Sequence, residues 1–314
     1  MAPTTPYDAV VLGGGPAGLQ AALTLGRMHR SVLLLDSGAY RNAPAGHLHN
    51  FVTRDGTPPA AFRAAARAEL AAYTTVTVRD ATVTSVSRSD GDRAAFRVDV
   101  DGAGPVHARA VVLATGVRDT LPGHRGLPAL FGSVAAHCPY CHGHEFAGTH
   151  VAVLGYGPHV ARVALLVERI ATRLTVLADG AELDPDTRAT LDRAGVAVRP
   201  EPVTGFCRSA TGATVSFADG PAEEVGGVFV ATTIAQAAPF AEQLGLTMLP
   251  SGCVEVDPLG RTSVPGVYAA GDMAHVASLP MPLAAVLTAA ASGLVAATSA
   301  DGDLLAADHG PTRH

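Results

Sequence analysis

The sequence predicts an α/β protein assembled from two strand-turn-helix-strand units, and three observations carry that prediction. An apolar run, a glycine turn and a helical pattern follow one another in "YDAVVLGGGPAGLQAALTLGR", residues 7 to 27, and the unit closes on "SVLLLD", ending at Asp36. The same order returns at Val151 in "VAVLGYGPHVARVALLVERIATRLTVLAD", ending at Asp179. Each unit is followed by alternating segments of β-meander character, residues 75 to 114 after the first and Val203 to Val225 after the second.

The first unit reads as a strand from Tyr7 to Leu12, a glycine turn, and a helix from about Pro16, whose fixed φ suits a first helical position. Gly13, Gly15 and Gly18 match G-x-G-x-x-G directly after the strand. The first two glycines permit the tight turn and the close approach of a pyrophosphate, and the third permits helix-strand contact. The helix N-terminus then faces the phosphates. Asp36, eighteen residues after Gly18, stands where a carboxylate accepts from the ribose hydroxyls of an adenosine half. Strand, helix and acid in register therefore specify a dinucleotide site rather than a bare glycine turn. The first meander carries turn signals at Asp90-Gly91 and Asp101-Gly102. Leu279 to Ala300 is uncharged and long enough to span a bilayer. Its body is mostly Ala, Ser, Thr and Gly, which insert weakly, so a buried core helix is expected there.

Composition excludes several function classes. With 314 residues and 48% hydrophobic content the chain can bury a large core, and its length suits two domains. The net charge of −6 leaves no basic footprint for nucleic acid or an anionic membrane. All 22 basic residues are arginine, and Trp is absent. "MAPTTPYDAVVLGGG" has no basic segment before its apolar run, so no secretory signal is expected, and four cysteines are too few for a disulfide-stapled secreted scaffold. A cytoplasmic location is the expectation.

"HCPYCHGHE", residues 137 to 145, holds the chemistry. Cys138 and Cys141 form a C-x-x-C pair, flanked by His137, His142 and His144. A zinc site has enough ligands here on paper. A closed tetrahedral site recruits a second ligand pair farther along the chain, whereas Cys207 and Cys253 stand apart and read as buried small hydrophobes, so no metal is expected. A C-x-x-C pair can instead close a small disulfide ring whose thiolate attacks a flavin or another disulfide.

Two further stretches, "AVVLATGVR" from Ala110 to Arg118 and "GVYAAGDMA" from Gly266 to Ala274, resemble the A-T-G and G-D motifs of flavoproteins with two dinucleotide-binding domains. The resemblance implies FAD, with Thr115, Gly116, Gly271 and Asp272 at the cofactor and Asp272 bonding its ribityl and phosphate region. The run "CPYCHGHEFAGTHVAVLGYG", with Cys141 fourteen residues before Gly155, resembles the low-molecular-weight thioredoxin reductases over nearly the full chain. It implies two Rossmann-like domains, the FAD domain discontinuous over residues 1–117 and 247–314, enclosing a degenerate NAD(P)-binding-like domain over 118–246 that carries the redox pair. It also implies that Cys141 lies on the flavin side, that Cys138 exchanges with substrate, and that the protein is a homodimer. In related enzymes the region of Arg41 to Gly56, "RNAPAGHLHNFVTRDG", runs near the flavin, so His49 and Asn50 are expected to line the site, with Asn50 at the cofactor.

The chain departs from the reductases in two places. They follow the second cysteine with an aspartate acid, whereas this chain has His142, which can take and return protons near neutrality, with His144 and Glu145 as weaker candidates. Their second unit supplies arginines for the 2′-phosphate of NADPH, whereas this one offers Asp179, Glu182, Asp184 and Asp186, with Val160 where Gly or Ala belongs. NADPH is therefore expected to bind poorly, while Asp179 leaves NADH open. These departures resemble the FAD-dependent dithiol oxidases of the gliotoxin and holomycin type. That resemblance implies a small-molecule dithiol that reduces the Cys138–Cys141 disulfide, electron transfer from Cys141 to FAD, and reoxidation by molecular oxygen to hydrogen peroxide. An NAD(P)H-dependent disulfide reductase and a non-enzymatic flavin redox sensor are the competing readings.

Overall fold

In the computed structural model, which describes residues 5–91 and 94–310, the chain divides into two compact units. The first comprises the chain up to Ala43, Pro59–Arg118, and everything from Ile234 onward; the second comprises Pro44–Pro58 and Asp119–Thr233.

The first unit is built on a parallel sheet. Tyr7–Leu12 lies at its centre between Val32–Asp36 and Val106–Leu113, with Val76–Asp80 beyond the former and Val267–Ala269 beside the latter. Strand periodicity divides the core: Val10, Leu12, Leu33, Leu35, Val111 and Leu113 face one cluster, and Ala9, Val11, Val32, Leu34, Ala110 and Val112 face the other. Helices Pro16–Arg27 and Val286–His309 cover that second cluster. They approach closely because Gly293 has no side chain; a Cβ there would overlap the Ala17 carbonyl. The segment read as a bilayer-length run thus supplies an interior helix face through Ala289, Gly293, Ala296, Ala297 and Ala300. No helix among the described residues is long and apolar enough to cross a membrane.

The meander is shorter than its pattern suggested. Val83–Gly91, Ala94–Val100 and the start of Val106–Leu113 are antiparallel, but Val76–Asp80 joins the parallel sheet, because helix Pro59–Leu70 returns the chain as a crossover. The tip after the Asp90-Gly91 signal, residues 92 and 93, lies outside the described residues.

The second unit carries an all-parallel five-stranded sheet ordered Ala197–Arg199, Arg173–Leu177, His150–Leu154, Gly227–Val230 and Ala135–Ala136. Val203–Arg208, Ala213–Phe217 and Glu223–Val225 form a separate antiparallel sheet. The chain leaves the first unit along Val117–Thr120 and returns along Thr233–Gln236, two strands that pair with each other.

The domain limits differ from the expected 1–117 with 247–314 and 118–246 in two respects. The return falls at Ile234 because Phe240, Ala241 and Leu246 bury into the first unit's core. Pro44–Pro58 groups with the second unit, where Gly132, at φ +85°, lets its backbone lie against Pro44.

Candidate active site

The first glycine turn is a cradle with one open side. Gly13 sits at φ +111°, and a Cβ there would overlap the Ala114 carbonyl oxygen; a Cβ on Gly18 would overlap the Gly13 carbonyl. At Gly15 a Cβ meets nothing within 4 Å. Gly15 also caps helix Pro16–Arg27 without a side-chain acceptor, and no acidic residue stands in the first turn, so the leading N–H groups are available to an anion. Gly116, at φ +70°, faces similar open space beside Thr115, whose hydroxyl donates to Met273 Sδ at 3.4 Å.

Asp36 ends the second strand and is 2% exposed. It accepts from the Tyr40 hydroxyl at 2.6 Å, the Gly38 N–H at 3.0 Å and Arg67 Nη2 at 2.5 Å. Burial pushes its carboxyl up, but Tyr40, Gly38 and Arg67 together hold it below the usual carboxylate range. A ribose hydroxyl would therefore join a carboxylate that is already ionised and oriented. Gly271, at φ +76°, turns the chain into Asp272, whose Oδ2 pairs with Arg41 Nη1 at 2.8 Å. Sequence spacing could not show this pair, because 231 positions separate its members. Cys253 is buried beside Asp272, its thiol within 3.5 Å of the Asp272 carbonyl, and burial pushes that thiol up. Cys207, expected to be buried, is exposed on its strand. The open glycine cradle, an uncapped helix N-terminus and a polar turn at Asp272 fit the pyrophosphate and ribityl portions of FAD.

The second glycine turn has the same backbone order but not the same space. Gly155 lies at φ +136°, and a Cβ on Gly157 would stand 3.1 Å from His159 Nδ1, so the exposed imidazole borders the side that is open at Gly15. Val160 is fully buried where the first turn has Gly18. His159 and His137 line a cavity of about 70 Å³ with Val153, Leu154, Val163, Phe229, Val230 and Ala231 at the carboxyl ends of the parallel strands. Asp179 takes φ +56°, accepts from the Val203 N–H at 2.8 Å through Oδ1, and pairs through Oδ2 with His124 Nε2 at 3.1 Å. The carboxylate left open for the ribose of NADH thus has both oxygens engaged. Asp184, counted as a phosphate-repelling acid, caps helix Pro185–Arg193 by accepting from the Thr187 N–H.

The sulfur pair is delivered by the edge strand Ala135–Ala136, at its carboxyl end, where ligands bind in open α/β sheets. Cys138 and Cys141 form a disulfide with their Cα atoms 5.3 Å apart, spanning the single turn Pro139–His142. The N–H groups of Cys141 and His142 both donate to the Cys138 carbonyl, at 3.1 and 3.2 Å, which closes the ring geometry. His142 is half-buried, and its Nδ1 is buried with no hydrogen-bond partner. Burial pushes its imidazole below the ordinary histidine range; Glu145 opposes that shift, and His49 adds to it. His49 is brought there by the Pro44–Pro58 segment, which Leu48 and Thr57 close through a backbone bridge. Its Nε2 lies 3.4 Å from Glu145 Oε1 and its Nδ1 3.6 Å from Asp55 Oδ1. Asn50, at φ +60°, is exposed on the same segment and donates its N–H to Asp55 at 2.7 Å. The structure thus gathers Gly13, Gly15, Gly18, Asp36, Thr115, Gly116, Gly271 and Asp272 in the first unit, and Cys138, Cys141, His142 and Asn50 in the second. Among the described residues, no group of three His, Cys, Asp or Glu side chains is placed to hold a metal ion.

Residues 7–293 match the family described as pyridine nucleotide-disulphide oxidoreductase. The chain is 34% identical over 321 residues to thioredoxin reductase sirT of Leptosphaeria maculans, covering 96% of this chain and 95% of that protein. Thioredoxin reductase tcpT of Claviceps purpurea is 32% identical, with 95% and 94% covered. Among solved structures, an oxidoreductase from Agrobacterium tumefaciens superimposes with a TM-score of 0.86 at 32% identity, covering 96% of this chain and 99% of that one. HlmI superimposes with a TM-score of 0.86 at 34% identity, covering 96% and 94%. Matches that span almost the whole chain, on a structure with a glycine cradle and a disulfide one turn long, decide the matter: the chain belongs to the pyridine nucleotide-disulphide oxidoreductase family, as a FAD-binding, thioredoxin reductase-like enzyme of thiol and disulfide chemistry.

Proposed function

We propose that the protein oxidises a small-molecule dithiol of natural-product type to an intramolecular disulfide, with dioxygen as the final acceptor. The observation that carries this direction is the second glycine turn, where the His159 imidazole stands beside Gly157 on the side that is open at Gly15, and Val160 replaces the glycine of the helix-strand contact. An enzyme without that site takes its electrons from the thiol substrate. The whole-chain likeness to HlmI and the resemblance to gliotoxin- and holomycin-type oxidases support the same direction.

In this reading a substrate thiolate attacks Cys138 Sγ, the Cys138–Cys141 bond breaks, and Cys141 leaves as thiolate. The second substrate thiol attacks the substrate sulfur of the mixed disulfide and releases Cys138, so the substrate gains one S–S bond as the protein loses one. Burial lowers the proton affinity of His142, which favours the free base that accepts the thiol proton. FAD, which Gly13, Gly15, Gly18, Asp36 and Asp272 would hold, would supply the two-electron acceptor between the reduced cysteines and dioxygen. The overall balance is one dithiol and one dioxygen to one disulfide and one hydrogen peroxide.

Oxygen consumption by the FAD-loaded enzyme, measured with dithiols of differing size and with or without NADPH, tests the proposal. The expected result is dithiol-dependent uptake with one peroxide per disulfide, unchanged by NADPH. Rapid anaerobic bleaching of the flavin by micromolar NADPH would overturn it and restore the disulfide reductase. Absence of uptake with every dithiol would favour the redox sensor.

A further inference from the structure

We propose that His49 and Glu145 are positioning residues for the reaction at Cys138–Cys141, a charge pair beside the buried His142 that tunes it as the acceptor of the thiol proton. Three observations within the second unit lead there. His142 adjoins Cys141 in the chain, and its Nδ1 is buried without a partner, so no hydrogen bond fixes its charge state. Glu145, on the next turn, favours the protonated imidazole, and His49 disfavours it. These two residues stand 3.4 Å apart, so each tempers the charge of the other at that imidazole. Asp55, 67% exposed and 3.6 Å from the far nitrogen of His49, connects the pair to solvent.

Other titratable groups share these elements, His137 beside Cys138 and His47 and Arg54 on the segment of His49. Cys138 and Cys141 titrate once reduced, and His144 is exposed on the Glu145 turn. The neighbouring helix His159–Val167 and the turn behind it bring His159, Arg162, Glu168 and Arg169, and the charges acting on His142 remain those of Glu145 and His49. Glu145 and His49 thus push on one buried imidazole in opposite senses, and one of the two lies ninety-three positions away, on the segment Pro44–Pro58.

The two substitutions should act in opposite senses. Glu145→Gln removes the charge that favours the imidazolium, so the acid limb of the rate profile moves to lower pH. His49→Gln removes the opposing charge, so the limb moves to higher pH. A single nearby charge changes the rate on the acid side by about three- to tenfold. The kinetic probe is anaerobic flavin bleaching by dithiothreitol in FAD-loaded enzyme, and this arm rests on the dithiol-oxidation reading. The second arm does not: the His142 imidazole is titrated by NMR in histidine-labelled, FAD-loaded protein, with His142→Gln giving the assignment. Opposite displacements of the His142 titration in Glu145→Gln and His49→Gln support the proposal. Displacement in the same sense, or none, overturns it even if dithiothreitol reduces the flavin. Failure of dithiothreitol to bleach the parent enzyme would instead count against the dithiol reading, while the NMR titration still decides the pair.

Discussion

Gly15 and Gly18 lie three residues apart in one motif, yet their substitution should fail in different ways. A Cβ at Gly18 overlaps the backbone carbonyl of Gly13, which cannot swing aside as a side chain can. Forcing such contacts costs about 1–3 kcal/mol. In a domain of this size each kcal/mol lowers the midpoint by about 2–4 °C, so Gly18→Ala should melt roughly 2–12 °C below the parent. Gly15 has an ordinary φ of −77° and meets nothing within 4 Å, so Gly15→Leu should fold with its apoprotein midpoint close to the parent's. Its side chain instead occupies the space in front of the uncapped helix. Losing one hydrogen bond to a charged group costs about 1.5–3 kcal/mol, which weakens FAD binding about 10- to 150-fold. The assay is a pair of measurements on each variant: thermal unfolding of the apoprotein, which removes the stabilisation that bound FAD adds by mass action, and fluorescence titration with FAD. Full flavin occupancy at parent affinity in Gly15→Leu would refute the placement of the pyrophosphate. A parent-like midpoint in Gly18→Ala would refute the close approach of helix and strand.

Two further outcomes are expected. Cys138→Ser should keep a thiolate at Cys141 and show a long-wavelength charge-transfer band with the flavin, whereas Cys141→Ser should lack the band and trap dithiol substrate as a mixed disulfide on Cys138, read by absorbance and intact mass; a band in Cys141→Ser alone would exchange the two roles. Asp36 titrates below its unfolded value, so its contribution to stability is present above an unfolded pKa of about 3.9 and is lost as pH falls through the folded value. Asp36→Asn should therefore melt below the parent at pH 7, with the gap closing on acidification; a gap constant across that range would contradict the ion pair with Arg67.

The fold was largely legible because its signals are local. Apolar alternation in Tyr7–Leu12 and Val32–Asp36, with glycines at the turn, specifies a strand-turn-helix whatever lies elsewhere in the chain. Val76–Asp80 was misread as meander because a partly exposed strand alternates whether its neighbour runs parallel or antiparallel. The sulfur pair was legible from its spacing, whereas its electrostatic surroundings were not. His49 reaches Glu145, and Arg41 reaches Asp272, only through the path of the backbone, and no periodicity encodes a contact across ninety-six or 231 positions. Asp179 was legible as an acid at the end of a strand, but its use by His124 and Val203 depended on a left-handed backbone turn that a non-glycine residue seldom signals.

The two glycine turns show how little separates a dinucleotide site from a structural turn. Gly13 aligns with Gly155, Gly15 with Gly157, Ala17 with His159 and Gly18 with Val160. Both turns join a buried parallel strand to a helix, because folding depends on the apolar pattern on either side and on the glycine at the strand end. Binding depends on something folding does not require, which is empty volume in front of the helix N-terminus. The imidazole of His159 borders that volume, and Val160 fills the helix-strand contact, with the parallel sheet order kept. The second unit keeps its parallel sheet with these residues in place, and that sheet holds Cys138 and Cys141 at the carboxyl end of its edge strand. On the proposed reading, the second unit is a platform for the disulfide, and electrons enter the protein through sulfur.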